Sequence, residues 1–137
     1  MMNEPISLIM KKELSTVTPN DTLATVRALL SEKKIHHVPV VEGDRLVGLI
    51  SNSDLLKLNR NFDEYEKIFV SELMTKKLAF LEPDDKVGAA AEIFLLNRFH
   101  AVPVVNNRED RALVGLVTTF DILRYEFKKE YPNQDID

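Results

Sequence analysis

A duplication constrains the fold of this chain more than any other feature. Lys34-Ile35-His36-His37-Val38-Pro39-Val40-Val41 returns sixty-four positions later as Arg98-Phe99-His100-Ala101-Val102-Pro103-Val104-Val105. Leu46-Val47-Gly48-Leu49-Ile50-Ser51-Asn52-Ser53-Asp54 likewise returns as Leu113-Val114-Gly115-Leu116-Val117-Thr118-Thr119-Phe120-Asp121. An earlier pair, Met10…Leu14…Pro19 against Met74…Leu78…Pro83, keeps the offset of the first. Each copy is too short to bury a sizeable core alone, so the pattern implies two pseudo-symmetric units packed on each other. A cleft between such units is the first place to expect a ligand.

Composition narrows the class. A net charge of −4 over 137 residues lacks the basic excess of a nucleic-acid binder. No apolar run approaches a membrane span, and the start, Met1-Met2-Asn3-Glu4-Pro5, does not read as a signal peptide. Cysteine is absent, which removes disulfides and thiolate metal sites and fits a reducing compartment. The expectation is a cytoplasmic protein with no membrane and no nucleic-acid partner.

Within copy one, Glu13 to Thr18 reads as a short strand stopped at Pro19. Asp21 or Thr22 then opens a helix to about Lys34, with Leu23, Val26, Leu29 and Leu30 on one face. Val38 to Val41 and Leu46 to Ile50 flank the turn Glu42-Gly43-Asp44 as a hairpin, and a second helix starts near Asn52. Copy two repeats this with Leu78 to Leu81, a helix from about Asp85 to Arg98, a hairpin of Val102 to Val105 with Ala112 to Val117, and a helix from about Thr119 to Lys129. The fold class is therefore mixed α/β, with two β-α-β-β-α units packed through their small sheets. Copy one takes residues 1–61 with a polar linker to about 67, copy two takes 68–128, and 129–137 is a flexible tail.

Ser51-x-x-Asp54 and Thr118-x-x-Asp121 carry two compatible readings. A hydroxyl followed three residues later by an acid resembles a capping box at a helix start. A carboxylate in that place can also accept from the two vicinal hydroxyls of a ribose, while the hydroxyl and the helix N-terminus suit a phosphate. Gly48 and Gly115, just upstream, leave space for another group to approach the backbone. His36 and His100 occupy equivalent positions before the Val-Pro-Val strands. They are either hydrogen-bonded structural residues or, with His37, Lys34 and Arg98, part of an electropositive spot for phosphate. Neither histidine has a nucleophile or orienting acid beside it in sequence, and no helical His-x-x-x-His spacing exists for a metal. No Gly-x-x-x-x-Gly-Lys loop or cysteine nucleophile is present. No catalytic or metal-binding residue is assigned, and an enzyme is not expected. Pro39 and Pro103 each mark a strand edge whose backbone is either protected or left to read a base.

These elements in this order resemble the CBS domain, here as a tandem pair covering about Ser7 to Phe127. No stretch is left for an appended enzyme or transporter, so the resemblance implies a stand-alone pair, or Bateman module. It implies a homodimeric sensor that binds AMP, ADP, ATP or S-adenosylmethionine in clefts between the copies and signals to a regulated protein partner. The ligand is regulatory, not a catalytic cofactor. The resemblance places ribose on Asp54 and Asp121, and hydroxyl or phosphate contacts on Ser51, Thr118, Thr119, His36, His37 and His100. Thr16, Thr18 and the backbones of Val38 and Pro39 in one copy, and Phe80, Glu82 and the backbones of Val102 and Pro103 in the other, fall near the adenine. Ala101 replaces one member of the basic pair, which either argues against a multi-phosphate ligand or makes the two clefts unequal; the additional hydroxyl of Thr119 favours the Asp121 cleft. Ala89, Ala90 and Ala91 offer a small-residue face for dimer packing. The alternative is a structural dimerisation or scaffold module in which the two aspartates only cap helices.

Overall fold

The computed structural model describes residues 2–136; Met1 and Asp137, the ends of the expected first and last segments, lie outside the described residues. Two compact units divide the chain. One is Leu14–Leu78; the other joins the segment up to Glu13 to everything from Ala79 onward.

In the Leu14–Leu78 unit, helix α1 (Leu23–Lys33) turns Leu23, Val26 and Leu30 inward at helical spacing. Lys34 ends it in the left-handed conformation, φ 54°, which reverses the chain toward strand β1 (His37–Glu42). Gly43, φ 64°, supplies the turn into β2 (Arg45–Ser51), antiparallel to β1. Helix α2 (Asn52–Lys57) follows directly. The other unit repeats the plan with α4 (Val87–Asn97), β3 (Ala101–Val105), β4 (Leu113–Thr118) and α5 (Thr119–Glu130). Between them in sequence lies the one-turn helix α3 (Val70–Leu73). The register shifts after Val40 and, equivalently, after Val104.

The first strand expected in each copy is a single parallel bridge, Val17 to Val40 and Leu81 to Val104. Proline explains the brevity. Val17 donates to the Pro39 carbonyl at 3.1 Å and accepts from Val41 at 2.9 Å. The next bond of a parallel ladder needs a donor at position 39, and proline has none. Pro103 limits the Leu81 bridge in the same way. The β1–β2 ladder tolerates Pro39 because its opposite residue, Leu49, sends its own N–H outward to Thr75 at 3.1 Å. Pro39 therefore occupies a non-hydrogen-bonded pair.

Three features of the packing go beyond the linear reading. Residues 62–67, assigned to a polar linker, form a 3-10 helix. Tyr65 there is only 4% exposed within the first unit's core, and the Arg27 guanidinium lies 3.8 Å over the Phe62 ring. The compact units cross the sequence repeats: residues 4–11 pack on the second repeat while 68–75 pack on the first. Ile6 joins the core of Val102, Val104 and Val117, as Val70 joins that of Val38, Val40 and Ile50. Val87 donates to the Glu4 carbonyl and Ile6 to that of Asp85; Leu23 donates to Ile68 and Val70 to Asp21. Lys129, where the expected last helix meets the expected tail, lies in the last turn of α5 and ion-pairs with Glu4 at 3.3 Å.

Candidate functional site

Antiparallel register brings the chemistry-bearing residues of each repeat to one end of its hairpin. His37 stands opposite Ser51, and Ala101 opposite Thr118. One step further, Asn52 donates its N–H to the His36 carbonyl at 2.9 Å, and Thr119 donates to that of His100 at 3.1 Å. The histidine of each copy is thus held against the start of the helix that carries its aspartate.

Both aspartates close capping boxes. The Asp54 Oδ2 accepts from Ser51 N at 2.8 Å and from Ser51 Oγ at 3.0 Å, while Asp54 N donates back to Ser51 Oγ at 3.3 Å. The Asp121 Oδ2 accepts from Thr118 N at 2.8 Å and from Thr118 Oγ1 at 3.1 Å, with Asp121 N returning the bond at 3.3 Å. Reciprocal satisfaction of orphan N–H groups explains why a hydroxyl and an acid recur at this spacing. The remaining oxygens differ. Asp54 is half-buried, and its Oδ1 has no hydrogen-bond partner among the described residues. Asp121 is 1% exposed, and its Oδ1 accepts from Arg124 Nη2 at 3.0 Å.

His36 is exposed and lines a cavity of about 360 Å³ with Arg27, Leu30, Ser31, Lys34, Ile35, Asn52 and Leu55. Three basic side chains therefore share one concave surface in the first unit. In the second repeat, Ala91 stands where Arg27 does, so only Arg98 and His100 of that trio persist. Sequence reasoning missed Arg27, because a cation on a helix face ordinarily reads as solvated surface.

The expected base-proximal residues are mixed. The backbone N–H groups of Thr18 and Glu82 are occupied by the carboxylates of Asp21 and Asp85, each at 2.8 Å. Side chains at Thr16 and Thr18 are exposed, and Glu82 is partly exposed. The Val38 and Val102 side chains are fully buried in the cores, which leaves the expected adenine contact there to the backbone. The Pro39 and Pro103 carbonyls already accept from Val17 and Leu81, at 3.1 and 3.0 Å. Phe80 lies under two guanidinium groups, Arg111 at 4.8 Å and Arg108 at 5.9 Å, which the sequence did not reveal. The space expected beside Gly48 and Gly115 is filled from within the chain. An added Cβ would meet the Met74 sulfur at 2.6 Å in one case and the Met10 sulfur at 2.5 Å in the other. The helix face expected from Ala89 to Ala91 is also largely internal, because Ala90 belongs to the core and Ala89 packs against it.

The description "CBS domain" matches residues 6–61 and again 70–128. The chain belongs to the CBS-domain family. Both repeats of this CBS pair therefore carry the family's elements, in a mixed α/β fold with one two-stranded sheet per repeat. An uncharacterised protein of Methanocaldococcus jannaschii is 34% identical over 113 residues, 82% of this chain and 36% of that protein. This chain spans about a third to a half of the length of the first curated relatives it matches (36%, 48% and 47%). Among solved structures, CBSX2 in complex with AMP has a TM-score of 0.80 at 26% identity, covering 93% of this chain and 98% of that one. A CBS domain pair from protein MJ0100, in complex with 5′-methylthioadenosine and S-adenosyl-L-methionine, has a TM-score of 0.79 at 28% identity, covering 91% and 97%.

Among the described residues, no group of histidine and acidic side chains is placed to hold a metal. No described helix is long and apolar enough to cross a membrane.

Proposed function

We propose that this CBS pair is a regulatory module that binds an adenosine-containing ligand, of the AMP, ADP, ATP or S-adenosylmethionine class, and relays its presence to a protein partner. The observation that carries the reading is the Asp54 station. A half-buried carboxylate with one unengaged oxygen stands at a helix N-terminus, and its neighbour Ser51 pairs with His37. Such an oxygen accepts from vicinal hydroxyls. The surface shared by Arg27, Lys34 and His36 suits an anion. Two solved relatives at 26% and 28% identity hold adenosine derivatives.

Titration of the purified chain with AMP, ADP, ATP, S-adenosylmethionine and GMP, followed by thermal unfolding, tests this. A ligand at 100 times its dissociation constant stabilises by about 2.7 kcal/mol. An adenine-specific rise that Asp54→Asn abolishes supports the reading; equal shifts with GMP, or none, refute it.

The complete capping boxes at both aspartates favour a second reading, a dimerisation scaffold in which those residues only hold helices. An exposed apolar surface on α4 and α5 suits either role as a homodimer contact. Leu95 is 82% exposed, Leu96 75% and Leu123 66%. Light scattering at micromolar concentration should give twice the chain mass, and a monomer refutes the dimer under both readings.

A further inference from the structure

We infer that the two aspartate stations are functionally unequal, with Arg124 acting as a built-in occupant that closes the Asp121 station and leaves Asp54 as the working one. The inference rests on the adenosine reading above and reverses the expectation that Asp121 is favoured.

Both carboxylates spend one oxygen on their cap, so only the second can serve a diol. At Asp121 that oxygen is bonded to Arg124 at 3.0 Å, and the carboxylate side chain is 0% exposed, against 24% for Arg124. The Arg124 guanidinium also lies 5.5 Å from the centre of the Phe120 ring, a contact that steadies it where it is. A charge-assisted bond to a buried carboxylate is stronger than a neutral one, and with the carboxylate fully buried a diol reaches Oδ1 only if the guanidinium moves. Among the described residues, neither holding contact has a counterpart in the first repeat. Lys57 and Ser53 stand where Arg124 and Phe120 do, Lys57 is exposed, and Asp54 is half-buried. The repeats also differ in their basic residues. Arg27, Lys34 and His36 share a cavity, whereas the second repeat has Ala91 for Arg27 and Ala101 for His37. Asp54 is therefore the open carboxylate, half-buried with an unengaged oxygen, and Asp121 the closed one.

Calorimetric titration of the full chain with AMP reads the asymmetry as stoichiometry. The expected wild-type result is one AMP per chain, weakened at least tenfold by Asp54→Asn. Arg124→Met should admit a second AMP, and adding Asp121→Asn to Arg124→Met should remove it. Asparagine keeps a cap acceptor at position 121, which guards against loss of folding. Where the wild type binds AMP, two AMP per chain, binding that survives Asp54→Asn, or unchanged stoichiometry in Arg124→Met overturns the inference.

A ligand-free measurement separates the lock from the adenosine reading. The Arg124 guanidinium should give resolved, slowly exchanging proton–nitrogen resonances that collapse in Asp121→Asn. Averaged resonances in the wild type overturn the lock. A locked Arg124 with no AMP bound by any variant supports the lock and refutes the adenosine reading instead.

Discussion

Replacing Gly115 by alanine separates two reasons for a glycine at that position. If the space beside Gly115 serves a ligand, a methyl group there leaves the unliganded protein intact and weakens binding. The structure says otherwise. A Cβ would sit 2.5 Å from Met10 Sδ, 2.9 Å from Met10 Cγ and 3.1 Å from the Lys11 carbonyl oxygen. The methionine can swing aside, but the backbone oxygen cannot move freely. Lys11 donates to the Leu116 carbonyl at 2.9 Å and accepts from its N–H at 3.0 Å, so relief of the contact strains that bridge. Overpacking of this kind costs roughly 1–3 kcal/mol. A loss of about 2 kcal/mol in a chain of 137 residues lowers the thermal midpoint by about 7 °C. Denaturant titration and thermal unfolding without ligand provide the measure. Met10→Ala removes the sulfur and Cγ contacts but not the carbonyl contact, so Gly115→Ala should cost less in that background. The double-mutant coupling should be about 1 kcal/mol. Stability of Gly115→Ala within about 0.5 kcal/mol of wild type, or strict additivity with Met10→Ala, refutes the packing argument. Gly48→Ala should behave alike, since its Cβ would meet Met74 Sδ at 2.6 Å and the Thr75 carbonyl at 3.2 Å.

Tyr65→Ala should destabilise by about 3 kcal/mol, the range for removing a buried aromatic, because its ring lies within the first unit's core; a change below about 0.5 kcal/mol in urea unfolding would return residues 62–67 to the status of a linker. Acid should loosen the attachment of the N-terminal segment to α5. The hydrogen bond from the Tyr125 hydroxyl is the main cause that holds the Glu4 carboxyl down at about 2, against an ordinary 4.5, with Lys129 contributing further. A depressed carboxyl stabilises fully above its unfolded value and loses that contribution as pH falls from about 4.5 through 2. Glu4→Gln should therefore be less stable than wild type at pH 6 and converge with it near pH 2. A stability difference that is constant across that window would show that the Glu4 charge is not what matters.

The duplication alone determined the order of helices and hairpins, because apolar spacing and turn residues are local properties that recur at fixed offset. It also placed both Asp-bearing boxes at helix starts, since a hydroxyl and an acid three residues apart meet whenever a helix begins there. The short first strand was half legible: Pro19 and Pro83 announced its end, while its collapse to one bridge depended on Pro39 and Pro103 in the neighbouring strand. Three matters belonged to the tertiary structure. Met10 and Met74 were visible as a repeated pair, yet nothing local says that each segment packs on the other repeat; that follows from which core Ile6 and Val70 enter. Tyr65 and Phe62 looked polar by company, and only the packing of Tyr65 in the core and of Arg27 over Phe62 shows their role. The difference between Asp54 and Asp121 was equally hidden, because Lys57 and Arg124 are both cations one helical turn beyond the acid. Sequence gives their charge, but only the packed structure gives the burial of one carboxylate and the guanidinium that reaches it. Local spacing fixes which groups can meet along one element, and burial fixes which of them remain open to a ligand.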